Sequence, residues 1–456
     1  MPSGRVTATQ PFRSASSPPP PWLLGFLALH LGCQLLLLVP WLSAGRVFIR
    51  MAAFGASLLL LFVVPRNRAA YAPTRTLAIA VVTLLTFELL HPDTSMVAGV
   101  AAVALNFAIL GPIFWVPSTN VTMATFQRLV TVLWLFYTAS AVLGVLQSYF
   151  PGHFQPPLSS IIAGHGRGQV LSLQIRLASG ERVFRPMGLT DIPGGAAYGG
   201  LYAILLGTGI VLLPKPPFSG ARILAVGGMV AGMMCLYLCQ VRSIMVMVGV
   251  CTIALLGLLL VSGRGSRLLG LLAAVGVVIP GAFILAVSLG GRAVTDRLST
   301  LVEADPGTVY YAHRGHFLTT TINEYLPQFP LGAGLGRWGM ISSYFGSSSG
   351  SLWAEIQWTA WLFDGGLPLV LIYFAAVVVA SRGCLKVALR RISGDDPALS
   401  LWGAVVVAYD VGALALCFNY PVFAGTSGIE FWLLNTALLC AAQDSDRRLL
   451  LSRVAV

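Results

Sequence analysis

Charge is what this chain has least of. Only 10% of its 456 residues are Asp, Glu, Lys or Arg, against 56% hydrophobic. A soluble fold of this length needs a polar surface that such a composition cannot supply, which excludes a soluble enzyme or binding module. Carboxylates are scarcer than bases, 16 against 28. The resulting net charge of +12 would suggest nucleic acid in a soluble protein. Here the basic residues gather in loops between apolar runs, so the charge reports membrane sidedness and no nucleic-acid partner is expected. None of the seven cysteines lies in a long polar loop, and all but Cys384 fall inside apolar runs, so no disulfide is expected. Cys235 and Cys239, at i and i+4, have no accompanying histidine or carboxylate and read as small core residues. There is no GxxxxGK[ST] phosphate loop. The stretch "GAGLGRWG" at 332–339 follows no strand and reads as a tight loop whose glycines let backbone approach a ligand or a helix. A long internal repeat is also missing, which weakens a transporter reading.

What the chain does have is apolar runs near bilayer length. They predict an all-α polytopic membrane protein with about twelve spans: 22–41, 47–64, 75–91, 95–115, 127–149, 193–213, 222–240, 243–261, 267–290, 358–380, 398–418 and 427–442. Basic residues fall on alternate loops and on both termini, which places both ends in the cytoplasm. The expected organisation is a disordered cytoplasmic tail (1–21), a five-helix region (22–149), a long outer loop (150–192), a four-helix region (193–290), a larger outer loop (291–357), a three-helix region (358–442) and a cytoplasmic tail (443–456). In the first long loop Leu171, Leu173, Ile175 and Leu177 alternate around an "ASGE" turn, a hairpin signal. In the second, the stretch around "HRGHFLTTTINEYLPQF" predicts an amphipathic helix, and "FGSSSGS" at 345–351 has flexible-loop composition.

Candidate chemistry lies on the side of the long loops. Arg242 occupies the tight turn in "CQVRSIMV", surrounded by apolar residues. Two readings fit it: a buried anion site, or a side chain snorkelling to lipid headgroups. Arg185 in "FRPMGLTDIPGG" and Arg314 in "YYAHRGHF" fit either an anion site or solvated loop charge. Three convergent guanidinium forks would suit a diphosphate, and in a membrane that means a polyprenyl diphosphate. Carboxylates in or near spans are Glu88, Asp191, Glu355, Asp364, Asp410 and Glu430. Asp191 suits an N-cap for the sixth span. Glu355 lies among Trp353, Trp358 and Trp361, which fit either interface anchors or sugar-stacking rings, and it could serve as base for a sugar hydroxyl. His313 and His316, at i and i+3, fall short of the three or four ligands zinc needs, so no metal and no cofactor is expected.

Four stretches between about 180 and 380 carry a resemblance: "RPMGLTDIPGGAAYGGL", "CQVRSIMVMVG", "HRGHFLTTTINEYLPQFPLGAGLGRWG" and "SLWAEIQWTAWLFDGGLPLVLIYF". In order and spacing they resemble the O-antigen ligase and Wzy-type polysaccharide polymerase superfamily. The resemblance implies a GT-C-type, metal-independent inverting glycosyltransferase of the bacterial inner membrane. It would use undecaprenyl-diphosphate-linked glycan as donor and a second glycan as acceptor on the periplasmic face, alongside membrane lipids, a flippase and a chain-length regulator. By position, Arg185, Arg242 and Arg314 match the family's diphosphate-binding arginines. Ligases carry a histidine where this chain reads "WAEIQW", which favours a polymerase with Glu355 as base and His316, Gln357, Trp353 and Trp358 as acceptor or sugar contacts. Two other function classes stay open: a transporter or flippase for an anionic or lipid-linked solute, and a non-catalytic envelope-assembly scaffold.

Overall fold

The computed structural model describes residues 21–64, 72–156, 171, 173–176, 182–290, 294–295, 308, 311–346, 351–390 and 397–454. The residues read as an N-terminal tail (all but Pro21), the hairpin turn at 178–181 and the loop positions 347–350 lie outside the described residues. Twelve longer helices occupy the stretches read as spans: α1 Pro21–Leu36, α2 Arg46–Val63, α3 Ala72–Phe87, α4 Met96–Leu110, α5 Met123–Tyr149, α6 Ala196–Leu212, α7 Ala221–Cys239, α8 Arg242–Val261, α9 Gly265–Gly290, α10 Gln357–Ala388, α11 Pro397–Leu416 and α12 Thr426–Val454. By length and composition, seven of them (α2, α5 and α7–α11) can each cross a membrane. An eighth joins them when α4 and the helical turns at Pro112–Thr119, bent by 43°, count as one broken span. α1 and α6 are shorter apolar helices. The protein is an all-α, multi-pass membrane protein.

Burial separates the centre of the bundle from its lipid-facing rim. In α11, 83% of the membrane-length window is buried, against 17% in α9. α9 accordingly turns Leu269, Val277 and Ile284 outward, a distribution only a hydrocarbon solvent favours. α6 is buried around nearly its whole circumference. Small residues allow this: a Cβ built on Gly200 would lie 2.7 Å from the Gly232 carbonyl of α7, and one on Gly232 would lie 2.9 Å from the Gly200 carbonyl.

Two irregularities shape one end of the bundle. The first is the predicted hairpin, seen as a two-stranded antiparallel ribbon of β1 Gln174–Arg176 and β2 Arg182–Phe184. It pairs the two buried apolar side chains, Ile175 opposite Val183. The second is a break inside α10 at Gly365 and Gly366, where Gly366 has φ 64°. The glycine loop of 330–336 fills the break. Leu367 N–H donates to the Pro330 carbonyl (2.9 Å), and Ala333 N–H donates to the Phe363 carbonyl (2.9 Å). The interrupted helix therefore satisfies its freed backbone groups from the loop, as irregular backbone at membrane depth requires. Gly332, Gly334 and Gly336 all have positive φ, and a Cβ on Gly336 would strike Ala98 of α4 at 2.5 Å. "GAGLG" thus serves close approach of backbone to helices.

A Cβ at Gly366 would meet the Pro330 carbonyl oxygen at 2.3 Å and Leu331 backbone carbon at 2.4 Å. Gly366→Ala is expected to destabilise the protein by about 1–3 kcal/mol through overpacking and an unfavourable φ. Thermal unfolding of the detergent-solubilised protein checks this, with Gly281→Ala, whose added Cβ meets nothing within 4 Å, as the control.

Candidate functional site

The site assembles at the end of the bundle where the long loops meet. Arg185 leaves strand β2 on a segment pinned by α5. Buried Gln147 accepts hydrogen bonds from the Met187 (2.8 Å) and Gly188 (2.7 Å) backbone N–H groups through its Oε1, and Ser140 Oγ accepts from Leu189 N–H (3.0 Å). Gly194, at φ 85°, then lets the chain pass beneath the arginine: a Cβ there would lie 3.8 Å from Arg185 Cδ and 3.2 Å from Val241. That contact brings Arg185 against the α7–α8 turn. In this turn Gln240 adopts φ 55°, a left-handed conformation that costs a non-glycine residue about 1–3 kcal/mol. It ends α7 abruptly and sets Arg242 as the first residue of α8.

The two guanidinium groups lie within electrostatic reach of each other, and Arg314 lies within reach of Arg185. Burial lowers the Arg185 pKa from its ordinary value, the Cys239 thiol opposes this, and Arg242 lowers it further. For Arg314, burial lowers the pKa first and Arg185 adds to it. Arg185 thus lies within electrostatic reach of each of the other two arginines named from sequence. Arg185 makes no ion pair among the described residues, and its Nε is buried without a hydrogen-bond partner.

Arg314 sits in a helical stretch of four abutting segments: Tyr311–Gly315 and Thr321–Tyr325 in the wide π form, His316–Thr320 and Leu326–Gln328 in the α form. This stretch is thus helical, and it docks on the start of α10 through a Thr321–Thr359 hydroxyl pair (2.5 Å). π-turns of this kind widen a helix locally and re-aim a side chain. Arg314 reaches Glu355 and forms an ion pair with its carboxylate. Trp353 Nε1 donates to the other Glu355 oxygen (2.8 Å). Arg314 also lies over the Phe317 ring, 6.0 Å from its centroid. Glu355 therefore accepts from a guanidinium at one carboxylate oxygen and from an indole N–H at the other.

The proposed sugar contacts divide. Trp353 is more than half exposed, and His316 is half-buried with Nδ1 3.4 Å from the Tyr311 carbonyl, so both are accessible at the surface. Gln357 is buried, and its Oε1 accepts the Phe423 N–H (2.7 Å). This bond, together with the Gln357 N–H donating to the Cys417 carbonyl (3.0 Å), holds α10 to the 417–425 loop. Trp358 is half-buried and packs on Trp361, Phe374 and Phe418. The division has one cause: α10 begins at Gln357, so Gln357 and Trp358 follow helical geometry while Trp353 and Glu355 lie on the irregular chain before it. The His313 side chain lies outside the described residues. Among the described residues no three His, Cys, Asp or Glu side chains come together as a metal site.

Asp191 is not the N-cap of α6. Gly195 holds that position with no side-chain cap. The buried Asp191 carboxylate instead accepts from Arg50 Nη2 of α2 (2.5 Å), which ties the first helices to the Arg185 segment. Arg50 also donates to Met340 Sδ (3.4 Å). Sequence reasoning missed Arg50, yet a signal was available: Arg46 and Arg50 start a span at the same end as Arg242, against the basic-loop pattern. Arg337, which donates to Asp93 (3.2 Å), ties the glycine loop to the α3–α4 connection at the same end. No protein-family model matches the chain, and no curated protein matches it.

Proposed function

We propose that the protein is an inner-membrane glycosyltransferase that polymerises, or ligates, polyprenyl-diphosphate-linked oligosaccharides on the periplasmic face, with twelve spans and both termini cytoplasmic. One observation carries the reading: Arg185, Arg242 and Arg314 cluster at one end of an apolar bundle with a carboxylate, Glu355, bound to one of them. Neighbouring half-buried cations repel each other and lose part of their solvation, a cost that an anionic ligand offsets. A diphosphate at a lipid surface fits three guanidinium groups and needs no metal to leave.

In the proposed reaction Glu355 takes the acceptor hydroxyl proton. The freed oxygen attacks the anomeric carbon from the face opposite the diphosphate. The C–O bond to the diphosphate breaks, the electron pair leaves with it, and the arginines stabilise the developing charge. Arg314 must first exchange Glu355 for the diphosphate. Donor binding thereby releases the base, and the order donor before acceptor follows.

A deletion strain tests the reading: it should lose long glycan chains and retain single repeat units. Retained long chains would rule out the polymerase. Purified protein given the lipid-linked donor should release polyprenyl diphosphate in step with glycan growth. The second reading, a transporter using the same arginines for binding alone, draws on the polar residues buried between helices. It predicts movement of the lipid-linked solute with no bond broken.

A further inference from the structure

The bundle interior holds an ionisable cluster that glycosyl transfer does not use. His30 of α1 and Glu430 of α12 are 400 positions apart in sequence. Their Nε2 and Oε1 atoms are 3.0 Å apart, with side chains 0% and 2% exposed. Tyr137 of α5 donates its hydroxyl to the same Glu430 oxygen. Other polar groups face this cluster from each neighbouring helix. Gln34 lies one turn along α1 and against Tyr137. Tyr198 and Tyr202 of α6 and Tyr409 of α11 lie within electrostatic reach of Glu430. Tyr202 donates to Tyr409 (2.9 Å), and its ring stacks on Tyr137 at 4.4 Å. Deeper, Asp410 of α11 accepts from Asn435 of α12 (2.8 Å). None of these neighbours is a lysine or an arginine.

Charge counting decides what the cluster does. An imidazole and a carboxylate sharing one proton are neutral as a pair, whichever atom carries it. Without that proton the interior holds a net negative charge, and with a second it holds a net positive one. Either state is costly in a low-dielectric bundle. The loop-rich end of the bundle lies nearby. Glu430 is four residues, about 6 Å, below the start of α12. Tyr420, in the loop before α12, is 46% exposed. Its ring centroid is 6.2 Å from that of Tyr198.

We propose that His30, Glu430 and Tyr137 form a proton-binding site, holding one exchangeable proton between His30 Nε2 and Glu430 Oε1 and supplied from the loop-rich end past Tyr420 and Tyr198. The proton moves between the imidazole nitrogen and the carboxylate oxygen, while the Tyr137 hydroxyl supports the oxygen when it is ionised. Because the three groups come from α1, α5 and α12, its release places a charge where three helices meet. This site is independent of the glycan reading.

Infrared difference spectroscopy of the protein in lipid nanodiscs, between about pH 5 and about pH 9, tests it. Wild type should show pH-dependent imidazole or carboxyl bands that shift in D2O. These should vanish in both Glu430→Gln and His30→Phe and persist in Asp410→Asn. Identical spectra from wild type and the first two variants would overturn the proposal. So would bands lost in Asp410→Asn but kept in Glu430→Gln, which would put the proton at Asp410. Should either variant fail to elute as a single species, Tyr137→Phe carries the test. It keeps the ring and removes one donor from Oε1, so the bands must shift in frequency, and an unchanged spectrum overturns the site.

Discussion

Arg242→Ala is expected to lower the rate of glycan transfer by about 10²–10³-fold, the usual loss when one preorganised donor to developing charge is removed. The residue opens α8 directly after the left-handed Gln240, so its position is set by backbone rather than by a flexible loop. Arg242→Lys should recover only part of the rate, because an ammonium cannot present the planar fork. Glu355→Gln separates binding from chemistry. It removes the base and, in the same step, removes the carboxylate that competes for Arg314. Transfer should stop while affinity for polyprenyl diphosphate holds or rises. The two quantities are read by single-turnover assays with lipid-linked donor and by direct binding of the diphosphate product. Full transfer by Arg242→Ala and Glu355→Gln proteins would remove the site assignment. Full transport with no glycan growth in any form of the protein would favour the second reading.

The other large effect concerns stability. Asp191 is 2% exposed, and Arg50 is 14% exposed in side-chain terms. Removing one partner of a buried pair leaves an uncompensated charge, which costs about 3–5 kcal/mol. The remaining exposure of Arg50 places Asp191→Ala toward the lower end of that range. The double replacement Arg50→Met with Asp191→Leu should recover most of the loss, because apolar groups of similar volume avoid the desolvation cost. A double-mutant cycle on thermal unfolding measures this. Additive losses would show that the pair does not couple α2 to the Arg185 segment.

The fold was legible wherever apolarity alone decides. The helices lie on the stretches where apolar runs approach bilayer length, and the hairpin lies where Leu173 and Ile175 alternate before "ASGE". The arginines stood out because few charges occur in such a chain, so each one near a span needs a reason. Partnership was not legible. Arg50 meets Asp191 across 141 positions, and His30 meets Glu430 across 400. Composition and periodicity act over one or two turns, and neither carries the register of one helix against another. Gln357 and Trp358 show the same limit: a single residue separates Glu355 from Gln357, yet a helix, α10, begins at Gln357 and sets the later side chains on helical geometry.

By itself the sequence determined the solvent of this protein, its helical class and the short list of residues able to hold an anion, because those follow from transfer free energy and charge count. Tertiary structure alone decided which of those residues meet. It brought three arginines to one end, bound Glu355 to Arg314, carried Asp191 away from a helix cap to Arg50 and buried His30 against Glu430. The reason is physical: a lone ionisable group in a low-dielectric bundle is costly, and only the packing of distant helices can supply its partner.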